Sequence, residues 1–503
     1  MNLSLISKVF LFGICFTLIS SSEKSGQSLS KPPNMVFFFV DDMGWQDTSL
    51  PFHTEITRLN KQYHTPNMER LARQGMKFTQ AYASAVCSPS RISLMTGVNA
   101  AKHGVTNWTL FKNKSTETDH PTLIGPNWNL NGLSPDPDIP KTFYAKTLPE
   151  YLKSAGYATI HVGKAHFGAK DTPGENPLNL GFDVNIAGHA AGGPGSYLAK
   201  NNFSAQWRNG MQVWDVPDLD KYYGSDIYLT EALTIEANLA VHRAIQRNKP
   251  FYLYMSHYAV HSPWEIDQRF YQKYIDRGLN EFDATFASML EGMDKSLGDI
   301  MDNLKALGVE KNTIIIFMSD NGSPRQTARN LPLRGFKLTP YEGGTRVPMI
   351  VKWPHITQEN SQTNQPIIIE DIFPTVLEMA GLRQNIPSTI DGISFVPILK
   401  ENKATNNNRS FIWHFPNLYD TFPYSSIRKG PWKLIYHHTD QKFELFNLAE
   451  DLSESKNLIN SNPTKARELA LMLSDYLESA DAVMPIDKTT HQAVPFPKFE
   501  TID

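Results

Sequence analysis

The sequence predicts an α/β protein with a mostly parallel sheet flanked by helices, followed by a small C-terminal antiparallel sheet with a helix. Two observations carry this prediction. Apolar runs typical of buried strands are followed several times by helical patterns, and this alternation favours a parallel sheet. From about Arg409 onward, segments of alternating polarity separated by turns replace that pattern, which indicates antiparallel strands.

The main-domain elements follow from local signals. The strand Met35–Val40 is apolar throughout, as expected for a strand covered on both faces. A helix begins after Thr65, with Thr65 as its cap and Pro66 in its first turn. Another begins at Thr147, where Glu150 completes a capping box. Further strands are predicted at 158–162, 251–255 and 313–318.

The C-terminal part should contain strands near 426–428, 432–436 and 442–446, then an amphipathic helix over 463–478. A loop containing three asparagines, 406–408, separates it from the preceding chain. We therefore predict a main domain over 34–405 and a C-terminal subdomain over 406–503.

The N-terminal residues predict export. Residues 1–22 contain Lys8, the apolar run 9–19 and three serines, which is a signal-peptide pattern. The apolar run is too short for a comfortable membrane span. Residues 23–33 are expected to form a flexible leader. We therefore expect a periplasmic or secreted protein with no membrane span.

Composition limits the possible functions. The chain has 503 residues, of which 41% are hydrophobic and 20% charged, as in soluble globular proteins. A net charge of -3 argues against general nucleic-acid binding, which usually leaves a basic footprint. A site for anionic substrates would therefore need a local basic pocket.

Chemically capable side chains follow the ends of four predicted strands. Open parallel sheets place their sites at the carboxyl ends of the strands, so we expect these loops to converge. The residues concerned are Asp41 and Asp42, Lys164 and His166, His257 and His261, and Asp320 and Asn321.

The oxygen-bearing members of this set, Asp41, Asp42, Asp320 and Asn321, form a plausible cation site. All-oxygen ligation suits Ca²⁺ or Mg²⁺ and disfavours zinc. Each pair alone is more often a solvated turn. Their common position at the ends of apolar strands, together with the motif around Cys87 described below, favours the metal interpretation.

Cys87 is expected to be the only cysteine of the mature chain, since Cys15 lies in the predicted signal peptide. Pro89 suits a first helical turn, so Cys87 should lie at a helix N-terminus, with Arg91 adding a cation. A lone thiol is either buried and inert or kept for its reactivity.

Several motifs together resemble the type I sulfatase family of the alkaline-phosphatase superfamily, especially exported bacterial polysaccharide sulfatases. They occur in the family's order, and the resemblance extends from about Asn34 to Asn457. The resemblance implies an alkaline-phosphatase-like fold, with 34–405 as the catalytic domain. The motifs are Cys87-Ser88-Pro89-Ser90-Arg91 with Thr96-Gly97, Gly163-Lys164-Ala165-His166, His261-Ser262-Pro263, and Gly335-Phe336-Lys337 with Glu342-Gly343-Gly344-Thr345-Arg346-Val347-Pro348.

The resemblance also implies a chemistry that composition cannot show. In the family, a separate maturation enzyme oxidises the cysteine to formylglycine, whose hydrate is the nucleophile. The position of that residue here is Cys87. Together with Asp41, Asp42, Asp320 and Asn321 it would bind a divalent cation, usually Ca²⁺, with Mg²⁺ as the alternative.

The remaining catalytic roles are carried over in the same way. Arg91, Lys164 and Lys337 would surround the sulfate, because a tetrahedral anion needs several donors. His261, with Lys337, would protonate the leaving alcohol. His166 would take a proton from residue 87 as sulfate is released.

The resemblance implies a sulfated carbohydrate as substrate, since exported enzymes of this kind commonly act on polysaccharides. We assign substrate contacts to His257, His189, Arg334 and Trp264. Trp108, Trp128 and Trp214 are further candidates for stacking on sugar rings.

Two other functions remain open at this point. A phosphatase or phosphodiesterase of the same superfamily would act on phosphate esters, although the extra ligands of a second zinc are not evident. An inactive, glycan-binding sulfatase homologue would lack a catalytic element, and none is missing.

Overall fold

The computed structural model of the protein describes residues 32–325, 329–402 and 408–499. The predicted signal peptide, 1–22, and residues 23–31 of the predicted leader lie outside these ranges. So does the predicted domain boundary between residues 405 and 406, which stays a prediction. The described residues from Pro33 onward belong to one compact unit.

A nine-stranded sheet lies at the centre of the described structure. Its order is β8-β2-β7-β6-β1-β5-β3-β4, and β9 also pairs with β2. Only β7 runs antiparallel to its neighbours, so the sheet is mostly parallel, as predicted. The strands are β1 (Asn34–Val40), β2 (Met76–Tyr82), β3 (Ala158–Gly163), β4 (Val184–Ile186), β5 (Phe251–Ser256), β6 (Thr313–Ser319), β7 (Arg346–Lys352), β8 (Ser361–Thr363) and β9 (Ile367–Ile368).

Helices cover both faces of this sheet. Phe37 and Phe39 of β1 contribute to one hydrophobic core, whereas Val36, Phe38 and Val40 contribute to the other. Both faces are buried, which explains why the strand is apolar throughout. The helices are α1 (Arg58–Gln62), α2 (Pro66–Arg73), α3 (Cys87–Thr96), α4 (Ala100–His103), α5 (Leu148–Ser154), α6 (Leu229–Gln246), α7 (Tyr271–Asp276), α8 (Glu281–Ala306), α9 (Glu342–Thr345), α10 (Ile372–Met379), α11 (Val396–Glu401) and α12 (Pro463–Ser479).

The two predicted helix caps differ in outcome. At α5, the Thr147 amide donates to Glu150 Oε2 at 2.7 Å, as the capping box requires. At α2, Thr65 makes no side-chain cap. Instead Asp294, a residue of α8, accepts from the Met68 amide at 2.7 Å and from the Asn67 amide at 3.0 Å. A tertiary contact thus replaces the predicted local cap.

The C-terminal sheet is antiparallel, as predicted, and has four strands in chain order. The first of them was not predicted. Helix α12 packs its apolar face against this sheet through Ala466, Leu469, Ala470, Leu473 and Leu477, as the pattern indicated. The strands are β10 (Ser410–Phe415), β11 (Tyr424–Lys429), β12 (Trp432–His437) and β13 (Phe443–Asn447).

Polar contacts join this sheet to the main sheet. The Trp413 indole N–H donates to the Ala83 carbonyl at 2.8 Å, and Lys433 Nζ lies 3.1 Å from Glu342 Oε1. Ala83 follows β2 directly, so the C-terminal sheet is anchored beside the active-site edge. Two short strand pairs complete the described structure: Leu123–Ile124 with Ile486–Asp487, and Leu133–Ser134 with Phe143–Tyr144. Within the described ranges, no helix has both the length and the apolar character that a membrane crossing requires.

Candidate active site

The loops predicted to converge do so because the strands before them are neighbours. Strands β6, β1, β5 and β3 lie side by side and run parallel, so their carboxyl ends share one edge. Asp41 follows β1, Asp320 follows β6, and Lys164 follows β3 directly. The topology alone therefore gathers residues that are far apart in the sequence.

Three carboxylates meet at this edge. Asp41, Asp42 and Asp320 each offer an oxygen, and these oxygens all lie within 4.8 Å of one another. All three residues are buried, with Asp41 and Asp320 fully so. Asn321 Nδ2 donates to Asp42 Oδ1 at 2.7 Å, which fixes the amide with its oxygen unpaired. Buried carboxylates this close need nearby positive charge.

Three cationic side chains supply part of that charge. Lys164 Nζ lies 2.6 Å from Asp41 Oδ2, Lys337 Nζ lies 2.6 Å from Asp42 Oδ1, and Arg91 Nη2 lies 2.8 Å from Asp320 Oδ2. Each carboxylate therefore has a close cationic partner, and Arg91 Nη2 also lies 3.9 Å from Asp41 Oδ1.

The balance of burial and charge differs among the carboxylates. Burial raises the pKa of Asp41 well above its usual value, and repulsion from Asp320 adds to this. Burial also acts on Asp42, but attraction to Lys337 and His261 outweighs it and holds that pKa below its usual range. For Asp320, attraction to Arg91 and Lys164 outweighs burial, so its pKa is lowered.

The cluster fits a hard divalent cation. Asp41 Oδ1 and Asn321 Oδ1 are buried acceptors without a hydrogen-bond partner in the described structure. Acceptors of this kind are rare unless water or an ion satisfies them. All the donors in the cluster are oxygens, which is the ligand type that Ca²⁺ and Mg²⁺ prefer.

Cys87 opens helix α3 directly beside this cluster, as predicted, with Val86 as the N-cap residue. Its side chain is 3% exposed and borders the cavity described below. Burial raises the pKa of the thiol, although Lys164 and Lys337 act in the opposite direction. The unmodified side chain is therefore a protonated thiol rather than an activated thiolate.

A cavity of about 340 Å³ opens over Cys87. It brings together five of the predicted catalytic and metal-binding residues: Cys87, Asp42, His166, His261 and Lys337. Its upper walls are largely aromatic. The other lining residues are Val86, Trp108, Gly192, Trp214, Ser262, Trp264, Pro324, Arg325, Phe336, Leu338, Tyr419 and Asp420.

The two histidines differ in which nitrogen is free. His261 Nδ1 lies 2.7 Å from the Ser262 carbonyl, and His166 Nε2 lies 2.9 Å from the Thr109 carbonyl. Because a carbonyl can only accept, each of these nitrogens carries a proton. This leaves His261 Nε2, 3.7 Å from Asp42 Oδ2, and His166 Nδ1 available for proton transfer.

Burial lowers the pKa of both rings, in His261 to about 4 and in His166 well below its usual value. Nearby Lys164 adds to the effect at His166. Both rings are consequently neutral before substrate binds.

A glycine-rich loop, 188–196, holds these histidines in place. A Cβ atom at Gly192 would lie 2.3 Å from His166 Cε1, and one at Gly193 would lie 2.9 Å from His261 Nδ1. His166 itself adopts a left-handed backbone with φ of 56°. Such conformations cost energy in non-glycine residues and are concentrated at functional sites.

Two predicted sulfate contacts are not found in the cavity wall. Arg91 and Lys164 are fully buried, and their cationic groups contact carboxylates instead. Arg91 also donates to Ser256 Oγ at 2.6 Å and to the Lys164 carbonyl at 3.2 Å. In this structure Arg91 orders Asp320 and the neighbouring strand ends. Of the three predicted sulfate contacts, Lys337 is the one that reaches the cavity.

Three of the four predicted substrate contacts also lie elsewhere. His257 is fully buried, and its Nε2 lies 2.9 Å from Ser296 Oγ on α8. His189 is half-buried, with its ring 6.3 Å from that of Tyr258. Arg334 donates to the Glu454 carbonyl at 2.9 Å and stacks on Tyr341. These side chains are used in packing; Trp264 alone lines the cavity.

Other lining residues were not predicted. Tyr419 and Asp420 come from the loop between β10 and β11, so the C-terminal sheet contributes to the cavity. Arg325 and Phe336 contact each other at its mouth, with the guanidinium 4.7 Å from the ring centre. Trp108 and Trp214 line the cavity, whereas Trp128 is 2% exposed and belongs to the core.

Comparison with protein-family models identifies the family to which this site belongs. The model named Sulfatase matches residues 33–382, which include the carboxylate cluster, Cys87 and both histidines. The chain belongs to the type I sulfatase family. A second model, for the C-terminal region of N-sulphoglucosamine sulphohydrolase, matches residues 337–482.

Individual sulfatases resemble the chain over most of its length. A sulfatase of Formosa agariphila is 30% identical over 553 residues, which cover 99% of this chain and 98% of that protein. The N-acetylgalactosamine-6-sulfatase of Mus musculus is 32% identical over 378 residues, covering 73% of this chain and 66% of that protein. The crystal structure of Ps i-CgsB in complex with k-i-k-neocarrahexaose superposes with a TM-score of 0.71, at 25% identity over 94% of this chain and 96% of that one.

Membership in this family makes the protein a sulfuric ester hydrolase. The parallel sheet with its separate antiparallel sheet is the sulfatase fold that the motifs implied.

Proposed function

We propose that this sulfatase removes sulfate from a sulfated carbohydrate, using formylglycine formed from Cys87 and a Ca²⁺ ion, with Mg²⁺ as the alternative metal. The observation that carries the proposal is the shared cavity. One opening of about 340 Å³ exposes Cys87, the edge of a buried carboxylate cluster and two neutral histidines. Nucleophile position, metal ligands and proton carriers are thereby within reach of one bound ester.

Asp41, Asp42, Asp320 and Asn321 would hold the cation. When bound, it supplies a Lewis acid that offsets negative charge on the sulfuryl oxygens and favours deprotonation at the nucleophile. The unpaired oxygens of Asp41 and Asn321 are its most available donors.

Side chains of the cavity provide the remaining chemistry. The hydrate of formylglycine at position 87 supplies the attacking oxygen. Lys337 Nζ, at the cavity wall, orients the sulfate by charge-assisted hydrogen bonds. The bound sulfate is an anion and favours uptake of a proton from water at His261 Nε2, which then passes that proton to the leaving alcohol. His166 Nδ1 accepts a proton as sulfate is released.

The aromatic walls support a carbohydrate as the leaving group. Trp108, Trp214, Trp264 and Tyr419 offer flat apolar faces with polar edges, which suit sugar rings. The names of two similar proteins also mention carbohydrates: one is an N-acetylgalactosamine-6-sulfatase, and the other, Ps i-CgsB, was crystallised in complex with k-i-k-neocarrahexaose. Such a substrate agrees with the export that residues 1–22 predict and with maturation by a formylglycine-generating enzyme before release.

The direct test is sulfate release measured by ion chromatography from a panel of sulfated oligosaccharides. The matched control is the same panel carrying phosphate esters. We expect sulfate release from at least one sulfated sugar and far slower phosphate release. Faster turnover of the phosphate esters would favour the phosphatase alternative, and no turnover of any sugar sulfate would contradict the carbohydrate assignment.

A further inference from the structure

A second, larger cavity lies away from the active site. It has a volume of about 1120 Å³ and shares no lining residue with the active-site cavity. Parts of β2 and β7 form its floor, and the loop 51–54, the segment 362–366 and the C-terminal sheet form its walls. We call this feature the β2 cleft.

The charged residues that line the β2 cleft are all basic: Lys77, Arg346, Arg409 and Arg428. Arg346 is paired with Glu342, and Arg409 with Asp371, both at the back of the cleft. These two pairs are close to neutral.

The other two cations have no direct carboxylate partner, and Arg428 reaches Glu342 only through the Tyr82 hydroxyl. Among the described residues, neither Lys77 nor Arg428 has a carboxylate oxygen within 4.0 Å. Lys77 donates to the Pro51 carbonyl, and burial lowers the pKa of its ammonium group with no acidic group opposing this. Arg428 is 5% exposed and donates only to neutral oxygens, including the Gly430 carbonyl at 3.0 Å. Anionic groups in the cleft would offset these charges.

The rest of the lining suits a sugar. The Trp45 side chain is 1% exposed, and its indole N–H has no hydrogen-bond partner in the described structure. Rings and side-chain amides, which can stack on and hydrogen-bond to hydroxyl groups, make up much of the remaining wall. These residues are Phe52, His53, Phe411, Gln80, Gln362, Asn364 and Gln365.

We propose that the β2 cleft binds a sulfated segment of a glycan without hydrolysing it. The lining contains no cysteine, aspartate or glutamate, so it lacks the groups that the active site uses for turnover. The choice of a glycan as the anion rests on the carbohydrate substrate proposed above. A polymer held in this cleft would stay bound to the enzyme between successive removals of sulfate groups, which lowers the polymer concentration needed for turnover.

The test uses the full-length protein with Cys87→Ala, so that no sulfate is removed. Hydrogen–deuterium exchange is measured with sulfated galactan and sulfated glycosaminoglycan hexasaccharides and with their chemically desulfated forms. We expect a sulfated hexasaccharide to protect peptides covering 51–54 and 77–80, and its desulfated form to protect neither. Lys77→Glu should abolish this protection, and Lys249→Glu, a reversal at an exposed lysine elsewhere, should leave it intact.

A kinetic measurement on the catalytically competent protein complements the binding data. A charge-assisted hydrogen bond contributes roughly 1.5–3 kcal/mol, so Lys77→Glu should raise KM for the polymer about tenfold or more. Turnover of a small aryl sulfate should be unchanged, because that substrate does not reach the cleft.

The outcomes separate the two proposals. Protection at 51–54 and 77–80 without release of sulfate from any sugar would retain the cleft and reject the proposed substrate. Three results would overturn glycan binding by the cleft. They are no protection there by any sulfated hexasaccharide, equal protection by the desulfated forms, and equal KM in Lys77→Glu and Lys249→Glu.

Discussion

Asp42 connects the carboxylate cluster to two groups of the active-site cavity, since it lies beside Lys337 and His261. Asp42→Asn keeps the shape of the side chain but removes the charge that a cation needs. Loss of an indirect metal partner costs about 10–100-fold in affinity, so loss of a direct ligand should cost at least that. Activity measured against free Ca²⁺ in chelator buffers should therefore require far more Ca²⁺ in Asp42→Asn. Asp302→Asn, at an exposed pair, is the control; identical Ca²⁺ dependence in both variants would show that Asp42 is not a ligand.

Asp320 is a less informative position for the same test. Its carboxylate accepts two hydrogen bonds from Arg91, at 2.8 and 3.1 Å, inside the protein. Asp320→Ala leaves that guanidinium buried with only the more distant Asp41, at 3.9 Å, as an ionic partner. Removing one partner of a buried ion pair typically destabilises a fold by ~3–5 kcal/mol. The motif alone could not show this, because spacing places Arg91 one turn after Cys87 but does not fix where a long side chain ends.

The rate loss on removing His261 should be larger for substrates with poorer leaving groups. A sugar alcohol needs a proton to depart, whereas an aryl alcohol barely does. General acid catalysis contributes roughly 10² to 10⁴-fold, so His261→Ala should lose about that much on a sugar sulfate and far less on an aryl sulfate. Single-turnover rates on both substrates measure the difference. Equal losses on the two substrates would assign the proton to another group.

At the scale of elements, the loop 188–196 fixes the histidines by close contact. Gly192→Ala places a methyl group where the His166 ring lies, with 2.3 Å between Cβ and Cε1. Because small displacements of catalytic groups can cost about 10²-fold in rate, we expect a loss of that order in kcat with little change in Tm. Ala191→Gly, which adds flexibility without a clash, is the matched control. Full activity in Gly192→Ala would mean that the loop does not position His166.

The strands that carry the site were predictable, because strands buried on both faces are apolar throughout and end abruptly in polar residues. Strand β10 was not, although it belongs to the predicted C-terminal sheet. Its sequence from Phe411 to Phe415 is mostly apolar, and apolar and polar residues do not alternate. The spacing of apolar residues therefore does not distinguish this strand from a short helix. The cap of α2 was missed for a related reason: Asp294 is more than 200 residues away in the chain.

At the scale of the whole molecule, the C-terminal sheet and the main domain meet around a buried acid. Glu370 Oε1 accepts from Asn99 Nδ2 at 2.7 Å, and the same amide group donates to the Ile412 carbonyl of β10 at 3.0 Å. Burial raises the pKa of Glu370 to about 8, and Asp371 acts in the same direction. The group is therefore protonated in the folded protein at neutral pH.

This shift has a defined sign for stability. The unfolded chain loses the Glu370 proton near the usual pKa of 4.5, and burial in the folded protein raises that pKa to about 8. Its contribution to stability is therefore present at low pH and is lost as pH rises through this interval. Glutamine has no proton to lose in this range, so Glu370→Gln should keep this contribution to stability. Its Tm should therefore rise relative to that of the parent protein between pH 5 and 8. The free-energy difference is on the order of a few kcal/mol, at ~1.4 kcal/mol per pH unit.

Thermal unfolding monitored across this pH range checks the prediction, with Glu359→Gln at an exposed position as control. A constant difference in Tm between Glu370→Gln and the parent at every pH would contradict it.

The cavity walls mark the limit of sequence-based prediction for the whole molecule. Tyr419 and Asp420 reach the active site only because the C-terminal sheet docks beside Ala83, the residue after β2. No local pattern around these residues signals that contact. Conversely, His257 and Arg334 lie next to motif residues in the sequence, but their side chains turn to α8 and Tyr341. Proximity in sequence to a motif residue therefore did not place these two side chains in the cavity wall.

Mass spectrometry of the peptide containing residue 87 is the sharpest test of the proposal that formylglycine at this position carries out the reaction. The protein is produced in a host that has the maturation enzyme, and sulfate ester turnover is measured on the same sample, with Cys87→Ala as the inactive reference. We expect residue 87 to have the mass of the aldehyde or its hydrate, and the modified fraction to be proportional to the specific activity. A sample that turns over sulfate esters while residue 87 is entirely an unmodified thiol would contradict it, as would undiminished activity in Cys87→Ala.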